Sequence, residues 1–94
     1  MESKELEGMV SVVTGAAQGL GLSIARELAV KGSTVLVVDL QLEKAQAECE
    51  KLRIKELDVV AIKLDITNSK EVSDFFSEIE QLDILVNNAG IGQT

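Results

Sequence analysis

Histidine and tyrosine are absent from the 94 residues, and cysteine occurs once, at position 49. Without histidine the chain cannot build a Ser-His-Asp triad, an imidazole acid/base or a histidine metal site. The single thiol of Cys49 makes neither an internal disulfide nor a zinc cluster. Because tyrosine is missing as well, a mechanism that needs a phenol as proton donor cannot run on these residues alone.

Positive charge is also scarce, since 9 Lys and Arg stand against 16 Asp and Glu, a net charge of −7. Such a surface repels nucleic acid and anionic membranes, which we therefore exclude as general partners. Apolar runs such as 35–38 and 84–86 are far shorter than the roughly 20 residues of a bilayer span, and the acidic N-terminus lacks the basic start of a signal peptide. We expect one compact domain over residues 1–94, with a flexible N-terminus over 1–7, in the reducing cytoplasm.

The hydrophobic pattern alternates between two periods along the chain. Apolar, valine-rich runs predict strands at 9–14, 34–38, 59–64 and 83–87. Apolar positions at helical spacing lie between them: Leu20, Ile24 and Leu28 before a Gly32 cap, then Leu42, Ala45, Cys49 and Leu52, then Val72, Phe75, Phe76 and Ile79 after an Asn68-x-x-Glu71 capping box. The alternation predicts an α/β fold, a parallel sheet with helices on both faces. We interpret Cys49 and both phenylalanines as core residues, with a reactive thiol as the alternative for Cys49.

A glycine-rich loop, residues 14–21, joins the first predicted strand to the first helix. Backbone amides at a helix start, together with the helix dipole, hold a pyrophosphate even in an acidic protein. Glycine allows the sharp turn and the close approach of the phosphates. The spacing is Gly-x-x-x-Gly-x-Gly rather than Gly-x-Gly-x-x-Gly. The loop therefore predicts a nucleotide site, with a purely structural turn as the alternative.

Asp39 ends the second predicted strand, eighteen residues after Gly21. A carboxylate at this position accepts hydrogen bonds from the adenosine ribose hydroxyls and repels a 2′-phosphate. No Arg or Lys lies within the loop or directly after Asp39. NAD(H) is therefore predicted over NADP(H), while capping of the following helix by Asp39 stays a compatible alternative.

Four segments together resemble the cofactor-side motifs of the short-chain dehydrogenase/reductase family, in order and at suitable spacing. They are residues 14–21, Asp39, Leu64-Asp65-Ile66-Thr67 and Asn87-Asn88-Ala89-Gly90. The resemblance covers the chain from about residue 8 onward and corresponds to the N-terminal portion of a family member. It implies a Rossmann-like, partial doubly wound fold with strand order 3-2-1-4.

The resemblance also implies roles for individual residues. The pyrophosphate and the nicotinamide ribose would lie along the glycine loop, the adenine ribose beside the second strand, the adenine beside the third, and the closing wall of the crevice after the fourth. In that order the residues are Gly15, Gln18, Gly19, Leu20 and Gly21, then Asp39 and Leu40, then Asp65 and Ile66, then Asn88, Ala89 and Gly90. No catalytic or metal-binding residue is assigned.

Two of these assignments have structural alternatives. For Asp65 the alternative is a turn carboxylate hydrogen-bonded to nearby backbone amides. Asn87 and Asn88 are suited to bonding the backbone of adjoining strands. A structural role and a cofactor role are compatible for the two asparagines.

The resemblance implies a catalytic serine and a Tyr-x-x-x-Lys set that these residues do not contain, so we expect the chain alone to be inactive. One hypothesis is the cofactor-binding portion of an alcohol or ketone oxidoreductase. The others are a non-catalytic dinucleotide-binding module and a structural half-domain. The fourth strand would form an edge patterned for burial, which predicts self-association through that edge. Only residues 79–83 separate the third predicted helix from the fourth predicted strand, so the sequence does not define where that helix ends.

Overall fold

The computed structural model describes residues 4–89. Seven elements follow one another: β1 (Val10–Thr14), α1 (Gly19–Val30), β2 (Thr34–Asp39), α2 (Leu42–Ile54), β3 (Val59–Lys63), α3 (Ser69–Glu78) and β4 (Ile84–Val86). The predicted alternation of strands and helices is confirmed. Element ends differ from the prediction by one residue at most places, and β4 is shorter than the predicted 83–87.

The four strands form one parallel sheet in the order β3-β2-β1-β4, which confirms the predicted Rossmann-like topology. Val12 of β1 lies opposite Leu36 of β2 and Leu85 of β4. At the carboxyl edge Asp39 of β2 lies opposite Lys63 of β3. Because all strands run the same way, the loops that follow them meet at one edge of the sheet.

One face of the sheet, which we call the first face, is covered by α1 and α2. Its strand residues Val13, Val35 and Val37 are fully buried. The helices present mostly small side chains to it, Ala25 and Ala29 from α1 and Ala45 and Cys49 from α2, together with Leu52 near the end of α2. Small residues let both helices lie close to the strands, so this face is densely packed. Cys49 is therefore a core residue, as predicted.

The expectation that Leu20 begins the buried stripe of α1 is wrong. Leu20 is 63% exposed, and the buried residues of the helix are Gly21, Ala25 and Ala29. Ile24 and Leu28 pack only at the margin of the core. The helix approaches the sheet too closely for large side chains on its contact line, which displaces the leucines to the flanks.

The opposite face, which we call the second face, is covered by α3. Val12, Val38 and Leu64 are buried there, against the predicted helix residues Val72, Phe75, Phe76 and Ile79. None of the residues of α3 is fully buried. One half of the predicted capping box is confirmed, since the Asn68 side chain accepts a hydrogen bond of 3.1 Å from the Glu71 amide. The reciprocal half is absent, because the Glu71 carboxylate accepts from the Asp65 amide and the Asn68 amide donates to the Asp65 carbonyl. The second face is therefore correctly patterned and only partly covered.

The passage from α3 to β4 is held by Asp83. The helix ends at Glu78, and the Asp83 amide donates to the Val10 carbonyl oxygen at 2.9 Å. The Asp83 carboxylate in turn accepts from the Val10 amide at 2.8 Å and from the Gln81 side chain. These bonds, that from Val10 first, hold the pKa of Asp83 below its usual range. The tight connection thus enters β4 already hydrogen-bonded to β1.

The predicted Gly32 cap is confirmed, because the Gly32 amide donates to Ala29 and the Ser33 amide to Leu28. Before β1, the Leu6 amide donates to the Lys31 carbonyl at 2.8 Å. Flexibility of residues 1–7 stays a prediction. Among residues 4–89, no helix combines the length and the apolar character that a bilayer crossing needs.

Candidate functional site

The carboxyl edge of the sheet contains a cleft of about 300 Å³ between the loops that follow the strands. Residues from all four predicted motifs line it: Gly15, Val38, Asp39, Leu40, Leu64, Asp65, Ile66, Thr67 and Ala89. These residues are up to 74 positions apart in the chain, and the parallel sheet brings them together. A cleft outside the carboxyl ends of parallel strands is where open α/β sheets bind their ligands.

The glycine loop presents the start of α1 to this edge. The N-cap residue Gln18 is extended, and its side chain makes no capping hydrogen bond. No acceptor among residues 4–89 takes a hydrogen bond from the amides of Gly19, Leu20 or Gly21. Gly19 has a φ of 61°, and a Cβ there would meet no atom within 4 Å. The helix start therefore offers free donors beside open space.

Gly21 lies on the inner side of the same loop. A Cβ on Gly21 would come within 2.3 Å of the Gly15 carbonyl oxygen and 2.7 Å of the Asn88 side-chain nitrogen. No side chain fits at that distance, so α1 reaches the loop only because residue 21 is glycine. Gly21 thus packs against the inner side of the loop, and the position that a side chain would occupy is filled by protein atoms.

Asp39 faces the glycine loop from the end of β2. Its Oδ2 accepts a hydrogen bond of 3.0 Å from the Ala17 amide, and its Oδ1 accepts one of 2.9 Å from the Gln41 amide. The bond to Gln41 closes a turn ahead of α2, which begins at Leu42 and whose N-cap side chain makes no capping bond. Asp39 therefore shapes the approach to α2 and holds the loop, in addition to lining the cleft.

Asp65 forms the turn that the alternative interpretation predicted. Its Oδ1 accepts from the Thr67 hydroxyl at 2.6 Å and from the Thr67 amide at 3.0 Å. These two bonds, that of the hydroxyl first, hold the pKa of Asp65 below its usual range. The neighbouring Ile66 is exposed, as is Leu40 across the cleft. Both apolar side chains therefore lie at the surface of the cleft.

The segment after β4 is tied to the loop after β1. The Asn88 side chain donates to the Gly15 carbonyl at 3.1 Å, and the Ala89 amide donates to the Thr14 hydroxyl at 3.1 Å. That hydroxyl donates to the Asn87 side-chain oxygen at 3.2 Å. The structural role predicted for the asparagines, bonding to neighbouring backbone, is therefore present for Asn88, whereas the Asn87 side chain bonds to a side chain of β1. Gly90, the last predicted site residue, lies outside the described residues.

Sequence reasoning missed two lysines beside the cleft. Lys44 of α2 donates from Nζ to the side-chain oxygen of Gln18 in the glycine loop. Lys63 ends β3 opposite Asp39. No local sequence pattern places either lysine beside the cleft, because they lie five and 24 positions after Asp39 in the sequence. Only the helix start and the strand register bring them to this edge.

The fold and its carboxyl-edge cleft define the class of Rossmann-like α/β proteins. A sequence profile described as short chain dehydrogenase matches residues 9–94. The chain belongs to this family. It is 45% identical over 86 residues to an uncharacterized oxidoreductase, YxjF, of Bacillus subtilis strain 168, a match that covers 87% of this chain and 34% of the relative.

Two solved structures extend the comparison. A metagenomic short-chain oxidoreductase in complex with NADP has a TM-score of 0.84 and 33% identity, over 93% of this chain and 41% of that one. The 7α-hydroxysteroid dehydrogenase complexed with NADH and 7-oxo glycochenodeoxycholic acid has a TM-score of 0.80 and 32% identity, over 90% of this chain and 35% of that one. The chain thus spans about a third of the length of the Bacillus subtilis relative, and 35% and 41% of the lengths of these two structures.

Proposed function

We propose that the chain is the cofactor-binding portion of a short-chain dehydrogenase, which moves hydride between an alcohol or ketone and nicotinamide. The observation that carries the proposal is the cleft at the carboxyl edge, because residues from four separate motifs line it. Relatives that bind NADP and NADH share the fold and about a third of the sequence. A nucleotide site at this position agrees with the general rule for open α/β sheets.

The residues of the glycine loop fit a pyrophosphate. Gly19 has a positive φ with open space around its Cβ position, and the first amides of α1 have no acceptor among residues 4–89. Amides at a helix start bind phosphate through hydrogen bonds and the helix dipole. In this proposal Gln18, Gly19 and Leu20 contribute backbone donors. Because Gly15 and Gly21 have no Cβ, the loop packs closely against neighbouring protein atoms, which leaves room for the ligand to approach.

Asp39 and the apolar residues of the cleft fit an adenosine. A carboxylate at the end of β2 accepts from ribose hydroxyls, and its charge opposes a 2′-phosphate, so we propose a preference for NAD(H). Leu40 and Ile66 offer apolar surface to the base, and Asp65 keeps its Oδ2 for the exocyclic amine. Asn88, Ala89 and Gly90 would close the crevice with small side chains.

The chemistry is divided between these residues and others. When bound, the nicotinamide supplies or accepts the hydride. This chain's residues bind and orient the dinucleotide, and with no tyrosine or histidine they offer no phenol or imidazole for the proton. We expect an assay with NAD and a panel of alcohols to show no turnover for the 94 residues alone. Turnover above the uncatalysed rate would overturn this division.

A fluorescence titration tests the cofactor site. We expect saturable binding of NADH, weakened about tenfold or more by Asp39→Asn because hydrogen bonds to a charged group are lost. Binding of NADPH is expected not to weaken in this variant. Asp74→Asn removes the same charge from an exposed pair with Lys70 on α3, outside the residues that line the cleft, and serves as the control. Failure of the unmodified chain to bind NADH at millimolar concentration would contradict the proposal.

A second candidate function rests on the exposed side of β4. Leu85 is 52% exposed, and β4 is bonded to β1 on one side only among residues 4–89. An apolar strand edge pairs readily with another copy, so a self-associating binding module or half-domain is the alternative. Light scattering after size exclusion distinguishes them, because a stable monomer at high concentration would count against association.

The proposal places the chain in the cytoplasm, where a free thiol stays reduced. Cys49 is buried, and burial is the main cause that raises the pKa of its thiol. We expect labelling by a thiol reagent to be slow in the folded protein and rapid in denaturant. Recovery of the intact protein in a membrane or secreted fraction would contradict the location.

A further inference from the structure

The outer edge of β3 ends the sheet on the side away from β4, as far as residues 4–89 extend. At the end of the strand the Leu64 amide donates to the Asp39 carbonyl of β2. Because a parallel ladder uses every second residue of a strand, the alternate residues of β3 direct their amides and carbonyls away from β2. These residues are Val59, Ala61 and Lys63. The edge therefore presents backbone groups that another strand can pair with.

Helix α2 lies over this edge, because it packs chiefly on β3. The outer flank of the helix and the strand together line a hollow of about 510 Å³. The helix residues of the hollow recur every three or four positions, so they follow one side of α2. We call them the α2 stripe: Glu43, Gln46, Ala47, Glu50 and Arg53.

The α2 stripe has opposite charges at its two ends, Glu43 in the first turn and Arg53 in the last. Neither side chain forms an ion pair within the part of the chain that the structure describes. The Arg53 Nε donates to the Val59 carbonyl at 3.1 Å, which holds the guanidinium at the edge of β3. Its terminal nitrogens are left for another acceptor, and a carboxylate is the acceptor that fits a guanidinium best.

The stripe and the strand edge have the same centre. Arg53 lies beside Val59, and Glu43 lines one hollow with Lys63. Residue 48, halfway along the stripe, is therefore level with Ala61, which is halfway between Val59 and Lys63. A two-fold axis normal to the sheet at this level reverses the strand and the helix together. Both surfaces are thus self-complementary about one axis.

We propose that the edge of β3 and the α2 stripe form a two-fold interface with a second copy of this chain. Antiparallel pairing of the two β3 strands joins the sheets into one, and the two Ala61 residues exchange a pair of backbone hydrogen bonds. Paired strands lie about 5 Å apart, which brings the two α2 helices within reach of each other's long side chains. Each Glu43 then lies between Lys63 of its own chain and Arg53 of the second copy.

The interface goes beyond the proposed function and uses a surface separate from the cofactor cleft. None of the residues of the α2 stripe lines that cleft. Because the two β3 strands run in opposite directions, the carboxyl edges of the two sheets face opposite ends of the pair. Both clefts therefore stay open, and cofactor binding and pairing are independent of each other. The exposed edge of β4 takes no part.

Light scattering after size exclusion, over a series of protein concentrations, gives the dissociation constant of the pair. We expect Arg53→Glu to weaken pairing about tenfold or more, because each attraction becomes a repulsion and the symmetry repeats it. The exchange variant Glu43→Arg/Arg53→Glu places opposite charges across the axis again. It should return the dissociation constant to within about threefold of that of the unmodified chain.

Lys51→Glu is the matched control for net charge. It changes the charge by the same amount as Arg53→Glu and on the same helix, but at a surface pair with Glu48 outside the α2 stripe. We expect it to change the dissociation constant less than about twofold. Leu85→Glu on β4 is the second control, because it obstructs the other edge of the sheet and should leave pairing through β3 intact.

Hydrogen exchange followed by NMR tests the strand pairing separately from the charges. The Ala61 amide should exchange rapidly in dilute solution and slowly at concentrations above the dissociation constant. In Arg53→Glu it should stay rapid at the concentration that protects it in the unmodified chain. The Val12 amide, inside the sheet, should be protected at both concentrations.

A chain that stays monomeric up to about 1 mM would overturn the inference. So would a pair that Leu85→Glu dissociates and Arg53→Glu does not, because association would then use β4. NADH titration of the same samples separates the two proposals. Pairing without NADH binding would contradict the proposed function alone, and NADH binding by a strict monomer would contradict this inference alone.

Discussion

The two faces of the sheet differ in the size of the helix side chains that cover them and in how completely those side chains are buried. On the first face, fully buried valines meet alanines and one cysteine of two helices, with Leu52 as the large side chain that α2 buries there. On the second face, a single helix brings two phenylalanines, Phe75 and Phe76, whose rings meet edge to face at 4.9 Å. Yet no residue of that helix is fully buried. Large side chains do not compensate for a missing layer, because burial needs atoms on every side.

The difference explains where the site lies and what supports it. Asp39, Ala17 and Gly21 belong to the connections of the first face, where α1 and α2 are close to the strands. Thr67 and Asp65 belong to the connection into α3 on the second face. The phosphate end of the proposed site therefore rests on the densely packed face, and the adenine end lies beside the thinner one.

The largest effect on stability is expected when a valine is truncated to alanine on the first face, compared with the same truncation on the second face. Val37→Ala removes fully buried atoms of the first face and should lower the free energy of unfolding by about 2–3 kcal/mol. Val60→Ala, at a position that is 40% exposed, should cost less than about 1 kcal/mol. Urea unfolding measures both. Equal losses would contradict the contrast between the faces.

Gly21→Ala tests the close approach of α1 on the first face. The new Cβ would lie 2.3 Å from a backbone oxygen that cannot turn away, so we expect a loss of about 2 kcal/mol and weaker nucleotide binding. Gly19→Ala serves as the control for backbone strain alone, at about 1 kcal/mol, because its Cβ meets open space. A Gly21 variant as stable as the Gly19 variant would argue against the tight contact.

Asn68→Ala tests the start of the only helix on the second face among residues 4–89. Loss of the bond to the Glu71 amide should cost about 1 kcal/mol. Because α3 is partly exposed, its amides should exchange with solvent faster in the variant, while those of α1 stay protected. Asn68→Asp retains an acceptor and is expected to restore protection. Hydrogen exchange followed by mass spectrometry gives both results.

Acid is expected to loosen the two connections that flank α3. Asp65 and Asp83 have pKa values held below their usual range by hydrogen bonds to Thr67 and to Val10. Such groups stabilise the fold above their unfolded pKa, and this contribution is lost as pH falls through the folded pKa. NMR signals of Val10 and Thr67 should therefore shift below about pH 4. Asp83→Asn should abolish the shift at Val10 and leave that at Thr67.

Local sequence patterns predicted most of the fold and the position of the candidate site along the chain. The alternation of periods predicted seven elements, and the Asn68 cap and the Gly32 end were predicted from neighbouring residues alone. The prediction for Leu20 was wrong, since spacing reports which residues share a helix face and not how near that face lies to a sheet. Asp65 had two interpretations that the sequence could not separate, and its bonds to Thr67 are those of the turn.

The sequence by itself determined the order of strands and helices and the place of the glycine loop, because these depend on interactions within a few residues. Only the tertiary structure decided which distant groups meet: Asp39 with the Ala17 amide, Asn88 with Gly15, and Lys63 beside Asp39. Register and helix approach set those meetings, and both result from packing the whole sheet at once, which no local pattern encodes.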